Sequence, residues 1–364
     1  MATNARGAIS RVPGDPVVIE DFIIDDLAPE DVLVRILASG VCHTDLAIKD
    51  GVFGSDGFPF LLGHEGAGVI EEVGSAVKNL KVGDHVMLNW RAPCNNCRFC
   101  VKGELNYCAS SLQSGTAKRT LDGKTLNPAL GLATFCTHTA VNEAQAIPYD
   151  ASLPAPQMSL IGCGVMTGIG AALYTARVSK GSSVAVFGCG GVGNSVIQGA
   201  KIAGATTIIA VDIDPKKLEW AKDFGATHTV NAREVDDVVA TIKELTNGNG
   251  VNYSFEAVGI PQTLEQALFC RDLAGTCVMI GVPGPGPKIE LEMQEVFGLG
   301  GHLSVSWYGD CVPGRDFPIL ADWYSQGLLN LDGVVSRLIS LDETEDAFAA
   351  MKRGETLRSV IVFE

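Results

Sequence analysis

The sequence predicts an α/β protein in which a β-rich, irregular domain accompanies a doubly wound parallel sheet. Three observations carry that prediction. Residues 1 to about 150 hold short Val-, Ile- and Gly-rich runs broken by turn signals. From about residue 180, short apolar runs alternate with helical patterns, the texture of a parallel sheet covered by helices. A glycine-rich turn, GCGGVG, sits directly between a strand-like and a helix-like segment. A chain of 364 residues accommodates about two domains, each with its own core.

In chain order, VLVRILASG, GAGVIEEVG and GDHVML read as strands of the first domain. The uncharged stretch from Ala151 to Ala176 is the one segment that could be mistaken for a membrane span. Pro154, Pro156 and its glycines make it a poor spanning helix. Ser183–Phe187 is a predicted strand, Gly191–Ala203 a helix and Ile208–Val211 the next strand. Pro215–Phe224 reads as a helix opened by Asp214 as N-cap with proline at the first helical position. Thr227–Val230, Tyr253–Ala257 and Cys277–Val282 are further predicted strands, separated by helices at about 235–246 and 261–272. After about residue 306, WYGDCVPGRDF leaves the alternation, and the tail is expected to return to the first domain.

Hydrophobic residues make up 46% of the chain, which fits a folded rather than a disordered protein. The formal net charge of -15, with no basic tract to offset it, argues against nucleic-acid partners and anionic membranes. The start, MATNARGAIS, lacks the apolar core of a secretory signal, so a cytoplasmic location is expected.

Eleven cysteines are many for a reducing compartment. Cys94, Cys97, Cys100 and Cys108 fall in CNNCRFCVKGELNYC, where four thiolates can close around one tetrahedral ion. Zinc suits such a set because it has no directional preference of its own and binds thiolate at about 2.3 Å. Four protein ligands leave no open position, so this zinc would be structural. The rival reading, a disulfide scaffold, belongs to small secreted chains. Cys136, Cys189, Cys270, Cys277 and Cys311 read as small buried hydrophobes.

Within GCGGVG, Gly188, Gly190 and Gly193 form G-x-G-x-x-G, with Gly191 and Val192 at the start of the helix. The glycines allow a tight turn, close approach to a pyrophosphate and close helix–strand packing. The helix N-terminus offers unpaired N–H groups to the phosphates. Asp212 ends the following strand, where an acid accepts from both ribose hydroxyls and repels a 2′-phosphate, favouring NAD over NADP. Lys217 lies about one helical turn further on and can add charge near the ribose.

Three other segments carry thiol or imidazole beside glycine: GVCHTD, LLGHEGAGV and LIGCGVMTG. Their spacing alone does not join them. Taken with FGCGGVG, AVDID, the four-cysteine loop and the closing LRSV, they resemble the zinc-dependent medium-chain dehydrogenases of the alcohol dehydrogenase family. The resemblance runs nearly the whole length. It implies a GroES-like catalytic domain over residues 1–164 and 307–364, interrupted by a Rossmann NAD-binding domain over 165–306. It also implies a catalytic zinc held by Cys42, His64 and Cys163, giving two zinc ions per chain. Two cysteines and one histidine are the known catalytic zinc ligands of alcohol dehydrogenases.

By the same resemblance, Asp45 would orient His64, and Glu65 would sit beside the zinc and exchange onto it. Thr44 would hydrogen-bond the substrate hydroxyl and begin a proton relay. His43 and Arg358 would contact the cofactor pyrophosphate, Thr167, Val192 and Val282 would surround the nicotinamide, and Trp90 would line the substrate pocket. A homo-oligomer is expected. One departure stands out: many relatives carry a relay histidine where this chain has Ala47, which cannot carry a proton.

The resemblance implies hydride transfer between an alcohol carbon and NAD. Two stretches, VMLNWRAPCNNC and SWYGDCVPGRDFPIL, look most like mycothiol-dependent formaldehyde dehydrogenases, whose substrate is S-(hydroxymethyl)mycothiol. The alternative is a general primary or aromatic alcohol dehydrogenase or aldehyde reductase. A zinc- and NAD-binding protein without turnover is a more distant alternative, disfavoured by the intact ligand set and Thr44.

Overall fold

A computed structural model describes residues 2–54, 56–111 and 115–364. The chain divides into two compact units, Met1–Cys163 with Val312–Glu364, and Gly164–Cys311.

The first unit is built on two antiparallel-rich sheets. The larger is centred on the Asp31–Gly40 strand, where Val32, Val34, Ile36 and Ala38 are fully buried. That strand pairs with Glu65–Val73 on one side and with the C-terminal strand Arg358–Val362 on another. The pairing register sets Gly40 opposite both Glu65 and Val360. Three segments far apart in sequence are thereby brought to one sheet end: Cys42 just past Gly40, His64 just before Glu65, and Arg358 two residues before Val360.

The second unit holds a six-stranded parallel sheet. Its spatial order is His228–Asn231, Thr207–Asp212, Ser183–Phe187, Val251–Glu256, Arg271–Met279 and His302–Val305. Counted by sequence that order is 3-2-1-4-5-6, the Rossmann arrangement, with the reversal point beside Ser183–Phe187. Ala185, Phe187, Ile209, Val211 and Cys277 form its core with helix residues Leu264 and Ala267.

Most predicted elements are present, and the differences have local causes. The helix expected over 261–272 ends at Phe269. Arg271 begins a strand instead, its buried guanidinium bonded to the Leu268 and Gly275 carbonyls. The strand expected over Cys277–Val282 runs from Arg271 to Met279, leaving Val282 outside it. His302–Val305, the sixth strand, was not predicted.

The apolar stretch near residue 160 is helical from Ala155 to Thr175. Pro154 is its N-cap and Pro156 lies in the first turn, where no intrahelical N–H is lost. By length and composition the helix could cross a membrane, but 72% of its apolar window is buried inside the protein. Two π-turns interrupt it, and the first, Ile161–Val165, carries Cys163. Such wider turns recur at functional sites.

The five remaining cysteines are all buried, as expected of small hydrophobes, and no disulfide joins any of the cysteines among the described residues.

Candidate metal centres and dinucleotide loop

Cys42, His64, Glu65 and Cys163 each offer one ligand atom, and these atoms lie within 4.8 Å of one another. Asp45 organises the cluster. It sits in the first turn of the His43–Lys49 helix and is fully buried. Its Oδ1 accepts from His64 Nδ1 at 2.9 Å and from the Gly63 amide at 3.0 Å, while Oδ2 accepts from the Cys42 amide at 3.2 Å. One carboxylate therefore fixes two of the ligand-bearing segments. With Nδ1 held, His64 is left with Nε2 as its cluster-facing atom, buried and without a hydrogen bond.

Glu65 is fully buried, and burial pushes its carboxyl up to about 7 despite the opposing charge of Arg358. Room for that carboxylate comes from Gly40, where a Cβ would overlap Glu65 Oε2. Arg358 Nη2 stands 3.5 Å from Glu65 Oε1 and 3.9 Å from Cys42 Sγ. Burial alone would lower the guanidinium pKa, but Glu65 and the two thiols hold it firmly charged. The neighbouring Cys163 thiol draws Cys42 well below its ordinary value, while Cys42 and burial push Cys163 well above. A buried imidazole nitrogen without a hydrogen bond, beside two thiols of which one ionises readily, is the donor set of a zinc ion with an open position.

The second cluster is Cys94, Cys97, Cys100 and Cys108, again with ligand atoms within 4.8 Å of one another. Cys97 Sγ and Cys108 Sγ lie 3.9 Å apart. A disulfide needs about 2.05 Å, whereas zinc–thiolate bonds of about 2.3 Å make a tetrahedral edge of about 3.8 Å. Amide donors point at the sulfurs: Cys94 N–H at Cys108 Sγ, 3.3 Å, and Ala109 N–H at Cys97 Sγ, 3.4 Å. Backbone amides, that of Cys100 foremost, pull Cys97 down to about 5, while burial foremost pushes Cys100 up to about 12. Four sulfurs this close cannot all ionise without a cation among them, and the residues fit zinc.

The glycine loop lies in the second unit. Gly188 has φ +90°, and a Cβ on it would meet Val258 Cγ2 at 2.6 Å. A Cβ on Gly193 would overlap the Gly188 carbonyl oxygen. At Gly190 a Cβ meets nothing within 4 Å, so space is left there for an approaching ligand. Asp212 accepts from the Cys189 amide at 2.8 Å, from Ile213 at 2.8 Å and from Asp214 at 3.0 Å. Asp214 is the N-cap of the Pro215–Phe224 helix and accepts from the Lys216 amide.

Other residues singled out in the sequence are placed as follows. His43 is exposed at the start of its helix, with Thr44 and Ala47 half-buried along it; Trp90 is half-buried after the His85–Leu88 strand. Thr167, Val192 and Lys217 are half-buried in the second unit, and Val282 is 73% exposed. Arg358, which the sequence connected only with the cofactor, faces the metal cluster through Glu65 and Cys42. Gly40 was missed; its signal is a glycine closing a strand whose residues 32–34 and 36–38 are apolar.

Residues 28–155 match the alcohol dehydrogenase GroES-like domain family and residues 191–326 the zinc-binding dehydrogenase family. The chain is 36% identical to an alcohol dehydrogenase class-3 of Cereibacter sphaeroides, covering 99% of this chain and 100% of the relative. It is 35% identical to an S-(hydroxymethyl)glutathione dehydrogenase of Escherichia coli, covering 98% and 99%. Among solved structures, benzyl alcohol dehydrogenase of Acinetobacter calcoaceticus superimposes with a TM-score of 0.92 at 31% identity, with 100% of both chains covered.

Proposed function

The chain belongs to the zinc-dependent medium-chain alcohol dehydrogenases, and on that footing we propose that it oxidises the hydroxymethyl adduct of a low-molecular-weight thiol with NAD. The observation that carries the catalytic part is the buried cluster of Cys42, His64 and Cys163, with His64 Nε2 left without a hydrogen bond. These three residues would hold the catalytic zinc, and Glu65 is near enough to join them. Bound there, zinc supplies Lewis acidity that lowers the pKa of an alcohol.

The chain's own residues do the rest. Asp45 holds His64 in the tautomer that leaves Nε2 free to ligate. Thr44, at the start of the same helix as Asp45, takes the substrate hydroxyl proton. Ala47 cannot pass that proton on, so its route outward uses water, a ribose hydroxyl or another residue. In the second unit, Gly188 to Gly193 bind the pyrophosphate through backbone amides, and Asp212 accepts from the ribose and repels a 2′-phosphate, selecting NAD. Lys217 adds charge near the ribose. His43 and Arg358 at the pyrophosphate, Thr167, Val192 and Val282 at the nicotinamide and Trp90 at the substrate are carried by the family resemblance. Cys94, Cys97, Cys100 and Cys108 hold a second, structural zinc.

Two observations support a thiol adduct as substrate. The curated relatives include proteins named for S-(hydroxymethyl)glutathione oxidation. The stretches around Trp90 and Trp307 resemble mycothiol-dependent formaldehyde dehydrogenases, which makes mycothiol the favoured thiol. Binding energy from the remote thiol moiety would raise turnover as well as affinity. NADH formation from formaldehyde, measured alone, with mycothiol and with glutathione, tests this. Mycothiol is expected to raise kcat/KM by orders of magnitude and glutathione to do little. Equal rates with and without thiol, together with good activity on benzyl alcohol, would make a general alcohol dehydrogenase the answer.

A further inference from the structure

Asn194 lies in the first turn of the Gly191–Ala203 helix, and its side chain is fully buried. Its Nδ2 donates to the Cys189 carbonyl at 2.8 Å, while the Cys189 amide donates to Asp212 Oδ2, also at 2.8 Å. Cys189 is thus fixed at both its backbone groups. The peptide joining Cys189 to Gly190 is planar and trans, so its N–H points opposite to its carbonyl. Holding the Cys189 carbonyl therefore turns the Gly190 N–H away from the buried amide. On Gly190 a Cβ meets nothing within 4 Å, so a ligand can come close at this point of the loop.

One end of this buried amide is satisfied and the other is not. Asn194 Oδ1 is buried and has no hydrogen-bond partner, which carries a desolvation cost. An amide kept here at that cost points to a role for the one bond it makes.

We propose that Asn194 is a positioning residue for the dinucleotide: it fixes the Cys189–Gly190 peptide so that the Gly190 amide is presented to the pyrophosphate. The proposal rests on the reading of Gly188 to Gly193 as the pyrophosphate loop. Asp212 holds the preceding peptide, Gly188–Cys189, through the Cys189 N–H, so its own contact does not pass through the Cys189–Gly190 peptide.

Calorimetric binding of ADP-ribose and of adenosine, with thermal unfolding of the ligand-free protein, tests it on the full chain and on Asn194→Leu and Asn194→Ala. Asn194→Leu is expected to weaken ADP-ribose binding about tenfold. Asn194→Ala is expected to weaken ADP-ribose binding similarly, and thermal unfolding checks that both variants are folded. Adenosine has no phosphate, and its affinity should stay at the wild-type value in both variants. Unchanged ADP-ribose affinity in both variants would overturn the proposal, as would a parallel loss for adenosine. A wild-type protein that fails to bind ADP-ribose would overturn the pyrophosphate-loop reading itself.

Discussion

Asp45 Oδ1 accepts a hydrogen bond from His64 Nδ1 at 2.9 Å, with both side chains fully buried. The same carboxylate also accepts from the Gly63 and Cys42 amides, so it orients a ligand ring and fixes the backbone on either side of the cluster.

Asp45→Asn keeps the shape but has one acceptor oxygen for three donors and turns an NH2 toward an N–H. Zinc affinity at the Cys42, His64 and Cys163 site should fall about 10- to 100-fold, read by competition with a chelator. The four-cysteine site should be unaffected. Unchanged retention at the first site would remove Asp45 from its positioning role.

Gly40→Ala places a methyl group against Glu65 Oε2 and within 2.6 Å of Leu160 Cδ2. Both neighbours are fully buried and cannot withdraw to solvent. The substitution should destabilise the protein by about 1–3 kcal/mol in denaturant unfolding. Wild-type stability would mean that the room around Glu65 is not tight.

How much of this was legible in the sequence depends on the range of the interaction concerned. Gly191–Ala203 and Pro215–Phe224 were readable to the residue because their ends are local: Gly204 closes the first with φ +88°, and Asp214 and Pro215 open the second. The four-cysteine loop is likewise local. Cys42, His64 and Cys163 are not, because what joins them is the register of Gly40 against Glu65 and a helix that returns with Cys163, neither of which leaves a spacing signal. Only resemblance to a family joined those residues. The Arg358–Glu65 pair, the π-turn at Cys163 and the His302–Val305 strand were also out of reach, since each depends on long-range pairing or packing.

Asp212→Gly removes both the charge that disfavours a 2′-phosphate and an acceptor for three backbone amides. The ratio of kcat/KM for NADP to that for NAD should rise, and the KM for NAD should rise with it as the loop loosens. A parent protein that already uses NADP and NAD equally well would contradict the role given to Asp212.

The most direct measurement of the central claim is zinc content taken alongside turnover, in the parent protein and in Cys163→Ser and Cys100→Ser. The account predicts two zinc ions per active chain, from two separate donor sets. Cys163→Ser should lose turnover and weaken one zinc while still binding NAD, whereas Cys100→Ser should lose stability first. Active parent protein with one zinc or none, or full turnover in Cys163→Ser, would contradict it.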